Sequence, residues 1–240
     1  MIKLAQTEGL RTLWSGLPAT IVMALPSTVM YFTAYEYCKA AYSSMLVPIE
    51  QPLLSPFLAG CTARFLAVSL ISPLELIRTR MQIDGSSFRS VISSVRSSVY
   101  QNGISALFLG YSASILRDVP FSGIYFCFYE YFKIVLDKNL SPVARDFLSA
   151  GSAAAIAGTL TLPFDVIKTR QQMLLGDQMT SSKNMTILRT YSEVVAKDGH
   201  RALMAGFGPR ILKVVPACAI MMSSYQFSKR YFLSKRDKAI

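Results

Sequence analysis

Three stretches of this chain superimpose, and no other feature constrains its fold as tightly. The first runs from Glu8-Gly9 through LRTLWSG and Pro26 to Tyr35-Glu36-Tyr37-Cys38-Lys39. The second runs from Asn102-Gly103 through ISALFLG and Pro120 to Tyr129-Glu130-Tyr131-Phe132-Lys133. The third runs from Asp198-Gly199 through HRALMAG and Pro216 to Tyr225-Gln226-Phe227-Ser228-Lys229. Every landmark moves by 94 residues from the first stretch to the second, and by 96 from the second to the third. Chance does not hold one spacing at so many positions. The period is longer than that of common solenoids, so each unit is a module of several elements.

The missing charges say what the modules are made of. Leu13 to Tyr35 contains no Asp, Glu, Lys or Arg, and neither does Phe147 to Leu162. Leu54 to Pro73 contains only Arg64, Ala106 to Tyr129 only Arg117 and Asp118, and Ala202 to Ser228 only Arg210 and Lys213. A helix needs about 20 mostly apolar residues to cross a bilayer, so these runs predict five spans. Hydrocarbon offers the backbone no hydrogen-bond partner, and no alternating barrel pattern is present, so the spans are helices. A soluble bundle would need a polar face on each helix, and these runs lack one. The chain has 25 Lys and Arg against 14 Asp and Glu, a net charge of +11. That charge lies mainly in loops and helix ends, where anionic lipid is a simpler partner than nucleic acid.

A second element precedes two of the repeated stretches. It reads SPLELIRTRMQ over residues 72–82 and LPFDVIKTRQQ over 162–172. A polar stretch with a short amphipathic helix follows each, about 88–101 and 186–196. A complete unit is therefore span, surface helix, span. The boundaries fall at 1–47 for an incomplete first repeat, 48–139 for the second and 140–240 for the third. His200 is the only histidine, and no P-loop or dinucleotide fingerprint is present, so the pattern predicts neither an enzyme nor a cofactor. Cys38, Cys61, Cys127 and Cys218 are widely spaced and predict neither a disulfide framework nor a metal site.

The pattern Pro-x-acid-x-x-base-x-base-x-Gln, then acid-Gly, then aromatic-acid-x-x-Lys, resembles the mitochondrial carrier family over essentially the whole chain. The resemblance implies an all-α membrane protein of the mitochondrial inner membrane. Kinked helices in parallel repeats would surround a cavity with pseudo-threefold symmetry about the membrane normal. Five of the six helices are expected here, with the family's first helix falling before Met1, as in a fragment or truncated form. The expected state is a monomer. Proline removes a backbone bond and bends a helix, so Pro26, Pro73, Pro120, Pro163 and Pro216 are expected kinks.

Glu75, Arg78 and Gln82 share one helical face by spacing, as do Asp165, Lys168 and Gln172. The resemblance implies that these six residues close the matrix side. Glu75 would pair with Lys168, Gln82 and Gln172 would brace the network, and Arg78 and Asp165 would need partners on the preceding helix. The Tyr-Glu-x-x-Lys stretches imply a cytosolic gate, Glu36 to Lys133 and Glu130 to Lys229. Gln226 departs from the acidic pattern and would only hydrogen-bond Lys39.

Between the gates lie Arg117 and Asp118, twelve and eleven residues before Tyr129. That is about 17 Å below the gate. Lys213 lies twelve before Tyr225, Arg210 one turn deeper, and Arg64 on a neighbouring helix. Charges at such depth usually mark a substrate path. An acid there can hold an ammonium, and Arg or Lys can hold carboxylates. The stretches RTLWSGLPAT, SPLELIRT, LRDVPFSGIY, LTLPFDVIKT and VVPACAIM resemble the mitochondrial glutathione carriers, which implies glutathione as substrate. The electrostatics alone also admit dicarboxylates, nucleotides or other amino-acid derivatives. A metal such as manganese fits poorly with one carboxylate at that depth. A truncated, non-transporting membrane protein is the alternative from another class. The resemblance further implies cardiolipin at Gly16, Gly110 and Gly206 with Gly85, Gly103 and Gly199, where helix N-termini present free N–H groups to phosphate.

Overall fold

The computed structural model describes residues 17–45, 53–84, 92–93, 96–97, 99–100, 103, 111–136, 140–177, 191–192, 195–196, 199, 203–204 and 206–237. The long elements among them are all helices: α1 (Leu17–Met45), α2 (Leu54–Asp84), α3 (Tyr111–Val135), α4 (Pro142–Leu160), α5 (Leu162–Asp177) and α6 (Phe207–Asp237). The shortest of α1, α2, α3 and α6 is α3, with 25 residues. At 1.5 Å per residue each of the four is about 37 Å or longer, which spans a hydrocarbon core. The described residues of 92–100 and 191–196 are also helical, where the sequence predicts surface helices. Gly103 and Gly199 follow them with φ of +75° and +72°. Each donates its N–H four residues back, to Val99 and Val195. A side chain would strain that left-handed C-terminus, so the repeat is written in backbone geometry as well as in sequence.

By length and hydropathy together, Leu54–Pro73 is the one described helix that qualifies alone as a span, and Pro142–Leu160 with Leu162–Thr169 qualifies as a bent pair. The expected five spans rested on missing charge, which is a weaker condition. Helices α3 and α6 have the length but dilute their apolar residues with Tyr, Ser, Gly, Pro and mid-helix charge.

Pro26, Pro73, Pro120 and Pro216 lie inside helices that continue past them. Only at Pro163 does the described chain break, with a 62° bend between α4 and α5. One lost N–H does not end a helix whose remaining ladder is intact. At Thr161 a second effect adds to the proline. Its hydroxyl and its N–H both reach back to the Ala157 carbonyl, and such back-bonding bends helices. The matching position ninety residues earlier is Ile71, which has no hydroxyl.

The chain forms two compact units, residues 1–34 with 66–112, and residues 35–65 with 113–240. In the first unit Tyr31 and Phe32 are buried with ring centroids 5.4 Å apart, and the hydroxyls of Ser69 and Tyr111 share a hydrogen bond. In the second unit the start of α2 lies against α3 at a close crossing. A Cβ on Gly60 would come within 2.7 Å of the Ser122 carbonyl oxygen, and one on Gly123 within 2.5 Å of Cys61 Sγ. Nearby, the Tyr35 and Phe126 rings stack at 3.6 Å. Helix α4 starts at Ser141, whose side chain accepts from the Ala144 N–H, with Pro142 in the first turn. Its small residues Ala150, Gly151, Ala153, Ala154, Ala157 and Gly158 are buried, and α4 packs along α6. Small residues let two membrane helices approach closely. Large apolar side chains such as Leu70, Leu160, Leu212 and Phe232 point outward, as a lipid-facing surface requires.

Candidate functional site

The break between α4 and α5 builds the first part of the site. A helix end leaves carbonyls without intrahelical donors. Arg210, from α6, supplies one: its Nη1 donates to the Thr161 carbonyl at 3.2 Å and its Nη2 to the Thr161 hydroxyl at 3.0 Å. The same Nη1 lies 3.3 Å from Asp165 Oδ2, and the Arg210 side chain is only 10% exposed. Thr161, Pro163 and Asp165 thus turn a helix break into a seat for a guanidinium.

Arg117, from α3, completes the group. It grips the neighbouring Asp118 with Nε at 2.5 Å and Nη2 at 3.0 Å. Its Nη1 also lies 3.8 Å from Asp165 Oδ1. Arg64 donates to the Ser122 hydroxyl at 2.8 Å. Arg64 and Lys168 both lie within electrostatic range of Asp118, and Lys168 is 2% exposed. Four bases (Arg64, Arg117, Lys168, Arg210) and two acids (Asp118, Asp165) therefore gather here among the described residues. Charges at mid-helix usually mark a substrate path.

Two expectations are revised here. Asp165, expected to pair on a preceding helix, here meets two arginines that were expected to touch substrate. Lys213 lies one turn from Arg210 but is exposed, and it has no ion-pair partner among the described residues. The side chains of Glu75, Arg78, Gln82 and Gln172 lie outside the described residues, so the expected Glu75–Lys168 pair does too.

The Tyr-Glu-x-x-Lys ends come together in pairs, but in the opposite sense to the one expected. Lys39 meets Glu130 at 2.5 Å, and Lys229 meets Glu36 at 2.7 Å. Lys133 turns to Glu130 on its own helix at 3.8 Å. Each inter-repeat bridge thus joins the base of one repeat to the acid of the next. The same sense assigns Gln226 to Lys133 rather than to Lys39. Aromatic neighbours support the ring. Tyr225 donates to Glu36 at 3.2 Å, and Lys39 and Lys133 sit over the rings of Tyr35 and Tyr129 at 5.9 and 5.1 Å. The bridging side chains are 20–39% exposed, and bridges of that exposure are worth about 0–1 kcal/mol each.

One ionic contact lies outside every predicted group. Asp146 is fully buried, accepts from Arg230 Nη1 at 2.6 Å, and accepts from the Tyr129 hydroxyl at 3.3 Å. It ties α4 to α6 and α3. Repeat comparison conceals it, because the matching positions in the second repeat are Pro56 and Ile134. The signal available was a lone acid at the head of a charge-free run. Of the expected lipid positions, Gly206 has φ +83° just before α6, while Gly16, Gly85 and Gly110 lie outside the described residues.

Long helices, a repeated plan and charges held at mid-helix define a multi-pass helical membrane protein. The model for the family described as "Mitochondrial carrier protein" matches residues 1–46, 50–140 and 139–236. The chain belongs to the mitochondrial carrier family, whose members are multi-pass inner-membrane transporters rather than enzymes. It is similar to the mitochondrial glutathione transporter SLC25A39 of Mus musculus, 44% identical over 239 residues. It is likewise similar to SLC25A39 of Homo sapiens, 42% identical over 242 residues, and to the mitochondrial glutathione transporter SLC25A40 of Danio rerio, 41% identical over 242. Each alignment covers 96% of this chain, which spans about two thirds of the length of these relatives (66–67%).

Proposed function

We propose that this chain forms part of a carrier that moves glutathione, or a closely similar amino-acid-derived anion, across the mitochondrial inner membrane by alternating access. The observation that carries the reading is the group of four bases and two acids on α2, α3, α5 and α6. Glutathione brings two carboxylates and one ammonium. Arg210, Arg117 and Lys213 take the carboxylates, with Arg64 in support, and Asp118 takes the ammonium. The relatives' printed function supplies the substrate that this charge balance leaves open. Asp165 and Lys168, with Glu75, Arg78, Gln82 and Gln172, form the matrix gate. Glu36, Lys39, Glu130, Lys133, Gln226 and Lys229 form the cytosolic one. Weak bridges suit a gate, because a modest difference in substrate affinity between two states is enough to shift them. Cardiolipin at the repeat glycines is the proposed lipid partner, and the carrier works as a monomer.

The test is uptake by a full-length carrier containing this chain, reconstituted into liposomes. Asp118→Ala and Lys213→Ala are each expected to abolish glutathione uptake while leaving the carrier folded. Full uptake by both variants would remove these residues as ligands, and no uptake by the wild type would remove the substrate.

A further inference from the structure

We infer that Asp146 is the third acid of the cytosolic gate, supplied by α4 in place of the carboxylate that Gln226 lacks. The inference rests on reading the Tyr-Glu-x-x-Lys ends as that gate. Three helices carry these ends, α1, α3 and α6, so a closed ring needs three links. The repeated residues make two of them. Lys39 to Glu130 joins α1 to α3, and Lys229 to Glu36 joins α6 to α1. The third would join α3 to α6 through Lys133 and Gln226. An amide forms no ion pair, and Lys133 turns to Glu130 on its own helix. Asp146 joins these same two helices. Its Oδ1 accepts from the Tyr129 hydroxyl of α3 at 3.3 Å, and its Oδ2 accepts from Arg230 Nη1 of α6 at 2.6 Å.

The level of the contact fits as well. Tyr129 directly precedes Glu130, and Arg230 directly follows Lys229. Tyr225, which matches Tyr129 in the third repeat, gives its hydroxyl to Glu36, the acid of its own link, at 3.2 Å. Tyr129 gives its hydroxyl to Asp146 in the same way. The second repeat has Pro56 where the third has Asp146. Beside Pro56, the Ser55 hydroxyl donates to the Lys39 carbonyl of α1 at 3.4 Å, and the junction there already has the Lys39–Glu130 bridge. The extra acid thus stands at the one junction whose repeated residues supply none. Asp146 is fully buried while Arg230 is 39% exposed, so Arg230 is the arm that can withdraw into water as the gate opens.

Gln226→Glu decides the matter, because it gives Lys133 an acid of its own. In the full-length carrier reconstituted into liposomes, Asp146→Asn should lower the maximal rate of glutathione uptake about threefold, since a loosened ring disfavours the state closed to the cytosol. Adding Gln226→Glu to Asp146→Asn should restore most of that rate, although the same change slows the otherwise wild-type carrier. A merely structural Asp146 would not be rescued from α6, so a missing recovery overturns the inference. Thermal unfolding supplies a reading that needs no glutathione. Gln226→Glu should raise the midpoint of Asp146→Asn by about 2 °C more than it raises that of the wild type. Equal shifts overturn the inference. Should Asp146→Asn fold poorly, Tyr129→Phe opens the α3 arm alone, and its smaller loss of rate must be rescued in the same way for the inference to stand. Failure of the wild type to take up glutathione sinks the substrate assignment alone, and the unfolding comparison still decides the role of Asp146.

Discussion

Helices α2 and α3 in the second repeat hold the places that α4 and α6 hold in the third, yet different forces join the two pairs. At the α2–α3 crossing Gly60 and Gly123 bring backbone against side chain with no room for a methyl group. The matching residues in the third repeat are Ala150 and Ala219, both buried. A Cβ on Gly151 would meet its nearest neighbour, Val215 Cγ1, at an ordinary 3.7 Å. Two ionic ties supplement the packing there, Asp146 to Arg230 and Asp165 to Arg210. The second repeat has Pro56 and Ile134 at the positions matching the first pair, and Glu75 and Ser114 at those matching the second. A solute cannot compete with close van der Waals packing, but an anion can compete with an ion pair. The third repeat thus adds ionic ties where the second has a glycine crossing.

The strongest challenge to this contrast is Arg210→Met. It strips the Thr161 carbonyl and Asp165 of their cation, and losing one partner of a largely buried pair costs about 3 kcal/mol. Thermal unfolding of the full-length carrier should show that loss, together with abolished uptake. A stable variant would mean that the tie from Arg210 does not hold the third repeat. Next in size is Gly60→Ala, expected to cost about 1–3 kcal/mol through overpacking against Ser122 and Phe126. Its companion Gly151→Ala should be neutral or gain up to about 1 kcal/mol from helix propensity. Equal effects would erase the distinction between the two crossings. Thr161→Ile copies the second repeat into the third. It removes one hydrogen bond to Arg210 and should cost about 1–2 kcal/mol while weakening glutathione uptake through a higher half-saturation. Unaltered uptake would leave the bend to Pro163 alone. The smallest effect belongs to Gln226→Glu, which supplies the acid that the ring lacks beside Lys133. It should stabilise the closed cytosolic side by at most about 1 kcal/mol and slow uptake modestly. Faster uptake would count against a gate there.

Much of the plan was legible because it repeats. The landmarks 94 and 96 residues apart located α1, α3 and α6 and their Tyr-Glu-x-x-Lys ends. Charge-free runs located α2 and α4. Rare charges picked out Arg64, Arg117, Asp118 and Arg210, because an ionised group at such depth is costly enough to be conspicuous. The same reliance on repetition hid Asp146–Arg230, which exists in one repeat only. It also made five prolines look equivalent when only Pro163 has Thr161 and Arg210 beside it.

The sequence by itself determined the helices, their order, and the depth of each charge along its own helix, because periodicity and desolvation act locally. Tertiary structure alone decided which acid meets which base. Equal spacing in every repeat is compatible with either sense of pairing, so Glu36 could have met Lys133 as readily as Lys229. Only the packing of neighbouring helices brings Lys229 to Glu36, Lys39 to Glu130 and Asp165 between Arg210 and Arg117. Ion pairing depends on a few ångströms of lateral placement, and no linear pattern carries that information.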